Sequence, residues 1–80
     1  MGRYIVLNTH APEECEPMEA DIGKVGPEIK GRDWMCTCPA GEHAYYIVME
    51  GDSAEQVLSF FPPSLKIGKT RAVPLEIMHF

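Results

Sequence analysis

Residues 36–50 read CTCPAGEHAYYIVME, and this stretch decides the fold. A proline and a glycine stand between two runs of strand-forming residues, 33–38 and 43–50. The second run is rich in tyrosine, isoleucine and valine, which favour strands. The stretch therefore predicts an antiparallel β-hairpin that turns back between the two runs.

The hairpin brings soft donor groups to one face of the predicted sheet. Side chains alternate along a strand, so Cys36 and Cys38 point the same way. Across the turn, Cys38 would lie opposite His43 and Cys36 opposite Tyr45, with Cβ atoms roughly 5 Å apart. Thiolate and imidazole groups are ligands of Zn²⁺ and Ni²⁺. In the alternative interpretation the cysteines are small buried apolar residues, and His43 is an ordinary polar residue near a turn.

The other elements are expected on both sides of the hairpin. They are a strand at 3–10, a helix at 12–24, a second helix at 53–61 and a last strand at 70–78. The first strand is apolar on both faces, which places it at the centre of the sheet. Pro17 requires the first helix to start late or to kink. Ser53 and Gln56 form a capping-box pattern, and Pro74 restricts the last strand to an edge.

The order β-α-β-β-α-β predicts an α+β fold of the ferredoxin-like kind, as a single domain over residues 1–80. We expect a four-stranded antiparallel sheet in the order 4-1-3-2, with both helices on one face. The other face would be uncovered and apolar, which is rare on a monomer. We expect it to carry some of Tyr4, Val6, Trp34, Tyr45, Ile47 and their neighbours, and to pack against a second copy of the chain.

Four segments together resemble the dimeric α/β-barrel superfamily, in particular its small stand-alone members. They are Tyr4-Ile5-Val6, the hairpin at 36–49, the helix start at 53–57 and the strand at 73–76. The resemblance implies a homodimer or higher homo-oligomer, and some such members are reported as nickel-binding. It also implies an alternative function, a cofactor-independent isomerase or monooxygenase with a pocket between the sheet and helices or between subunits. No catalytic motif of that superfamily can be placed on numbered residues here.

His10 and Cys15 form a second candidate cluster, with Glu13 or Glu14 beside them. The end of the first strand leads directly into the first helix, so an imidazole and a thiol should be near one another there. In the alternative interpretation His10 ends its strand in solvent and Cys15 fills an apolar stripe. Taking strands one and three as parallel, we expect His10 and His43 about 20 Å apart. Only a partner subunit would then combine the two clusters.

Composition excludes several classes of function. A net charge of −5 argues against binding to nucleic acid or to a membrane surface. No apolar run approaches the ~20 residues of a membrane span. Three cysteines are an odd number, which favours free thiols in a reducing, cytoplasmic compartment.

The residues thus predict a small homodimeric protein that binds a metal or small ligand. The candidate ligands of a nickel or zinc ion are Cys36, Cys38, His43, His10 and Cys15. The alternatives are the enzyme described above, with His10 or His43 as a base, and a dimerisation module without a site.

Overall fold

The structure is a computed structural model that describes residues 2–79; Met1 and Phe80 of the predicted domain lie outside them. Its regular elements are β1 (Gly2–Thr9), α1 (Cys15–Asp21), β2 (Met35–Cys36), β3 (Ala44–Gly51), α2 (Ala54–Ser59) and β4 (Lys69–Pro74). Short 3₁₀ helices lie between them at Pro12–Glu14, Ile22–Lys24, Cys38–Ala40 and Pro63–Leu65.

The four strands form one antiparallel sheet in the order β2-β3-β1-β4. This is the predicted order 4-1-3-2 counted from the other edge. The α+β class, the element order and the central position of β1 are confirmed, and the arrangement is compatible with a ferredoxin-like fold. Pro74 lies on the edge strand β4, where its missing N–H is tolerated.

The expectation that β1 and β3 run parallel is wrong. Thr9, at the end of β1, pairs with Ala44, at the start of β3. The chain path explains this, because the crossover through α1 brings β2 back in the direction of β1 and the hairpin then reverses β3. His10 and His43 are consequently neighbours, and the His10 N–H donates to the His43 carbonyl oxygen at 3.0 Å.

The core lies between the sheet and the two helices. Met18 of α1 and Val57 of α2 are buried against Val6, Ile47 and Met49 of the central strands. Both helices therefore pack on one face of the sheet, as predicted.

The other face of the sheet carries half-buried apolar side chains. They are Ile5, Leu7, Tyr46, Val48 and Val73. The prediction that this open face carries some of Tyr4, Val6, Trp34, Tyr45 and Ile47 was wrong, because those side chains belong to the helix-covered core or pack against it. Since β1 and β3 are apolar on both faces, alternation alone does not tell which face the helices cover.

The predicted helix at 12–24 is confirmed as three consecutive helical segments. Pro17 is the third residue of α1, in the first turn, where a backbone N–H has no intrahelical acceptor. A Glu14 carboxylate oxygen accepts the Ala11 N–H at 2.7 Å. This bond fixes the path of the chain immediately before Cys15, the first residue of α1.

The two edge strands are shorter than predicted. The expected strand at 33–38 is reduced to β2, because the chain enters a 3₁₀ helix at Cys38 and closes it at Gly41, which has φ of 87°. The expected strand at 70–78 ends at Pro74; one more sheet-like bond follows, from the Leu75 N–H to the Arg3 carbonyl oxygen at 2.9 Å.

Helix α2 begins where the capping-box pattern predicts. The Ser53 hydroxyl oxygen accepts the Gln56 N–H at 3.1 Å. The Gln56 side chain reaches back to the Asp52 N–H, one residue earlier than in the ideal box.

Candidate metal centre

Two imidazoles and two thiols converge at one end of the sheet. His10 directly follows β1, Cys15 begins α1, Cys38 begins a 3₁₀ helix after β2, and His43 directly precedes β3. All four side chains are half-buried, and one donor atom from each lies within 4.8 Å of the others. We call this set the His₂Cys₂ group.

The Cys15 sulfur is the centre of the His₂Cys₂ group. It lies 3.0 Å from the Cys38 sulfur, 3.2 Å from His10 Nε2 and 3.2 Å from His43 Nδ1. The Cys38 sulfur is 3.6 Å from His10 Nε2. A zinc ion with bond lengths of about 2.3 Å to sulfur and 2.0–2.1 Å to nitrogen would space its donors roughly 3.3–3.8 Å apart. These four distances are close to those between ligands of one ion, with the two sulfurs somewhat closer, and every pair in the group lies within 4.8 Å.

Asn8 fixes the orientation of His10. Its side-chain NH₂ donates to the Ile67 carbonyl oxygen and to the Thr70 hydroxyl, both at 2.7 Å. A carbonyl oxygen only accepts, so the amide oxygen of Asn8 must face His10 Nδ1, 2.8 Å away. His10 Nδ1 therefore donates to Asn8, and in the neutral imidazole Nε2 carries the lone pair that faces the thiols. This is the outer-shell arrangement that orients metal-binding histidines.

Proximity of the thiols affects their protonation. The hydrogen bond to the neighbouring Cys15 thiol raises the pKa of Cys38, and partial desolvation at the cavity wall raises the pKa of Cys36. Because a thiolate is the species that binds a metal, an incoming ion must displace a proton from Cys38.

The structure unites the two clusters that the sequence analysis kept apart. His10, Cys15, Cys38 and His43 meet within one chain, so a partner subunit is not needed to complete the set. The separation of about 20 Å expected from parallel strands was wrong for the reason given above.

Cys36 is the predicted ligand that lies outside the His₂Cys₂ group. It pairs with Tyr45 as predicted and is exposed as a residue, and its sulfur accepts the Cys38 N–H at 3.4 Å. Cys38 leaves the strand alternation because it starts a 3₁₀ helix, and its side chain turns toward Cys15. Of the two acidic candidates, Glu14 is bonded to the Ala11 N–H and Glu13 is exposed.

Asn8 is the functional residue that sequence reasoning missed. It is 1% exposed, and its amide lies among apolar core residues. Its signal was present in the sequence, since a polar residue two positions before His10 shares the core-facing side of a central strand. A buried amide at such a position must find partners.

A small apolar cavity of about 70 Å³ adjoins the His₂Cys₂ group. Its walls include Met18, Ile22, Trp34, Tyr45 and Leu65, together with three members of the group. Trp34 packs edge-to-face on Tyr45, with ring centroids 4.9 Å apart. Apolar walls lower the local dielectric, which strengthens the attraction between thiolates and a cation.

Comparison of the chain with known protein families, curated proteins and solved structures gives no match. Membership of the dimeric α/β-barrel superfamily therefore stays a prediction. Within residues 2–79, no helix is long and apolar enough to cross a membrane, and the cytoplasmic location also stays a prediction.

Proposed function

We propose that this chain is a metal-binding protein whose ion is held by His10, Cys15, Cys38 and His43. The observation that carries the proposal is the convergence of the four donor atoms within 4.8 Å, from four separate places in the sequence. The hydrogen bond from His10 Nδ1 to the Asn8 amide oxygen supports it, because a metal-binding histidine usually donates its other ring N–H to such an acceptor.

Zn²⁺ is the ion that the donor set favours, with Ni²⁺ as the second candidate. Two thiolates and two imidazoles around one point are typical of a tetrahedral zinc site. Ni²⁺ accepts the same ligand types but prefers a more planar arrangement.

Binding without turnover fits the site better than catalysis. Four protein ligands fill a tetrahedral ion, whereas catalytic zinc sites keep one position for water or substrate. The adjoining cavity, at about 70 Å³, is well below the roughly 300–1,000 Å³ of ordinary ligand pockets. The isomerase or monooxygenase alternative has no comparable support.

Titration of the metal-free protein with Co²⁺, followed by displacement with Zn²⁺ or Ni²⁺, tests the proposal. We expect one ion per chain, with thiolate-to-cobalt charge-transfer bands. Cys15→Ser and Cys38→Ser should each weaken binding strongly, and the matched variant Cys36→Ser should bind as the wild type does. Absence of stoichiometric uptake, or equal effects of all three substitutions, would refute it.

We also propose that the chain forms a homodimer through the open face of the sheet. Its centre is apolar, and its margin carries both signs of charge, with Arg3 paired across the strands to Glu50 and Arg32 bonded to Glu50 at 3.7 Å. A margin with both signs can complement itself across a twofold axis. Burial of the apolar centre would remove a surface that monomers rarely expose.

Native mass spectrometry of the wild type and of Val48→Lys tests the dimer. Val48 is at the centre of the open face, so a lysine there should give monomers. Glu55→Lys, at an exposed position of α2, is the control and should remain dimeric. A monomeric wild type at micromolar concentration would refute this assembly and leave the metal proposal intact.

A further inference from the structure

Cys15 and Cys38 are close enough to react with one another. Their sulfurs lie 3.0 Å apart although 23 positions separate them in the sequence. We propose that this pair is a site of reversible oxidation to a disulfide, and that oxidation releases the bound ion. The release rests on the proposed metal function; the disulfide itself does not.

The geometry requires little movement. A disulfide brings its sulfurs to about 2.05 Å, so closure shortens the distance by about 1 Å. Cys15 begins α1 and Cys38 begins a 3₁₀ helix, so both residues lie at element ends. Rotation of the side chains can supply such a shift without moving the sheet.

The oxidant is a hydroperoxide, for which hydrogen peroxide is the simplest example. One sulfur attacks the O–O bond and becomes a sulfenic acid, releasing water. The second sulfur displaces the sulfenic hydroxyl, which also leaves as water, and the S–S bond forms. Two electrons pass from the two sulfurs to the peroxide. In the metal-free protein the two thiol protons end in the water produced; in the zinc-loaded protein, whose sulfurs are thiolates, solvent supplies the two protons and Zn²⁺ leaves.

Oxidation removes two of the four donors. Thiolate is the sulfur species that binds Zn²⁺, and a disulfide carries no charge. The ion would keep only the two imidazoles, and ion and disulfide therefore exclude one another.

Cys36 is a less suitable partner for Cys38. The Cys36 sulfur contacts the Cys38 backbone N–H, whereas the Cys38 sulfur lies against Cys15. The structure thus selects the long-range pair.

The test treats metal-free and zinc-loaded Cys36→Ser protein with hydrogen peroxide, and reads intact mass and released zinc. Only Cys15 and Cys38 remain in this variant. We expect a disulfide within one chain, seen as a mass lower by two hydrogen atoms and without disulfide-linked chains, one zinc released per disulfide, and reversal by dithiothreitol. In wild-type protein, peptide mapping should join Cys15 to Cys38.

Matched variants decide the pairing. Cys38→Ser, which keeps Cys15 and Cys36, should form an intramolecular disulfide at least about tenfold more slowly than Cys36→Ser. Equal rates, or a wild-type bridge that contains Cys36, would overturn the proposal. If the disulfide forms but no metal titrates, the proposed metal function fails and the oxidation site stands. If metal binds but the pair yields only sulfinic acid, the oxidation site fails alone.

Discussion

Asn8 supports the proposed metal centre without being a donor. Its amide is held by the Ile67 carbonyl oxygen and the Thr70 hydroxyl, and its own oxygen holds His10 Nδ1. The imidazole therefore reaches the thiols with one defined nitrogen. Such outer-shell partners set both the tautomer and the ring orientation of a ligand.

Replacement of Asn8 should weaken metal binding. We expect Asn8→Leu to lower zinc affinity about 10–100-fold, because His10 loses the acceptor that orients it. Competition with a chromophoric chelator measures the affinity. Thr70→Val is the control, since it removes one bond of the amide but leaves the Ile67 bond that orients it. Equal affinities of wild type and Asn8→Leu would contradict the assigned role.

Tyr45 should make the fold sensitive to alkali. Burial raises the pKa of Tyr45, whose hydroxyl donates to the Leu65 carbonyl oxygen at 2.6 Å. In the unfolded chain tyrosine ionises near pH 10, while the buried hydroxyl stays neutral. Its contribution to stability is therefore fully present below about pH 10 and is lost as the pH rises further.

Urea unfolding of wild type and Tyr45→Phe measures this contribution. Near neutral pH we expect the wild type to be more stable by about 1 kcal/mol, the net value of one hydrogen bond. Above about pH 10 the difference in unfolding free energy should shrink, because only the wild type has this ionisable group. A difference that stays constant with pH would show that Tyr45 is not the group responsible.

At the scale of elements, the loop before β4 packs tightly against the end of β1. Gly68 has φ of 75°, and a Cβ added there would collide with the Thr9 carbonyl oxygen and lie 3.2 Å from the His10 Cα. The path of the loop therefore depends on glycine at this position. The contact also affects the position of the His₂Cys₂ group, because His10 directly follows Thr9 in the sequence.

Gly68→Ala should both destabilise the fold and weaken zinc binding. Gly31→Ala is the matched control, because Gly31 has φ of 89° but nothing within 4 Å of an added Cβ. Both variants share a backbone strain of about 1 kcal/mol. We expect Gly68→Ala to lose more unfolding free energy in urea than Gly31→Ala does. We also expect only Gly68→Ala to lose zinc affinity. Equal behaviour of the two variants would show that the contact with β1 is unimportant.

The sequence predicts the elements well because their signals are local. The hairpin at 36–50, the Ser53 cap and the edge position of Pro74 each follow from a few neighbouring residues. The ends of β2 and β4 were predicted less well. The alternation of apolar and polar residues continues in the sequence beyond the point where each strand ends, at a 3₁₀ helix after β2 and at Pro74 in β4.

The candidate site was harder to predict because its four residues are distant in the sequence and meet only through the arrangement of the strands. The four donors of the His₂Cys₂ group were all among the predicted ligands. Their union depends on the direction of β3 relative to β1. The predicted antiparallel sheet in the order 4-1-3-2 already implied opposite directions, and the expected separation of about 20 Å was inconsistent with it. Cys36 was included among the predicted ligands because residues two apart on a strand point to the same face, as Cys38 was expected to do.

At the scale of the whole molecule, a bound ion would join separate parts of a small fold. A domain of this size buries a modest fraction of its surface, so its stability is marginal without further support. Donors that flank β1, α1, β2 and β3 would tie the sheet to its first helix.

Metal should therefore raise the stability of the whole chain. At a free zinc concentration about 1,000 times Kd, we expect about 4 kcal/mol of added unfolding free energy, because the ion binds only the folded site. Thermal unfolding with and without a chelator measures the shift. Cys36→Ser should keep it and Cys15→Ser should lose it. A zinc-dependent shift that survives in Cys15→Ser would place the ion elsewhere.

X-ray absorption at the zinc edge of the loaded protein tests most directly whether His10, Cys15, Cys38 and His43 hold one ion. The structure predicts two sulfur neighbours at about 2.3 Å and two nitrogen neighbours at about 2.0–2.1 Å, with the same spectrum for Cys36→Ser. A shell of three sulfurs that loses one in Cys36→Ser, or a shell of oxygen and nitrogen alone, would contradict it.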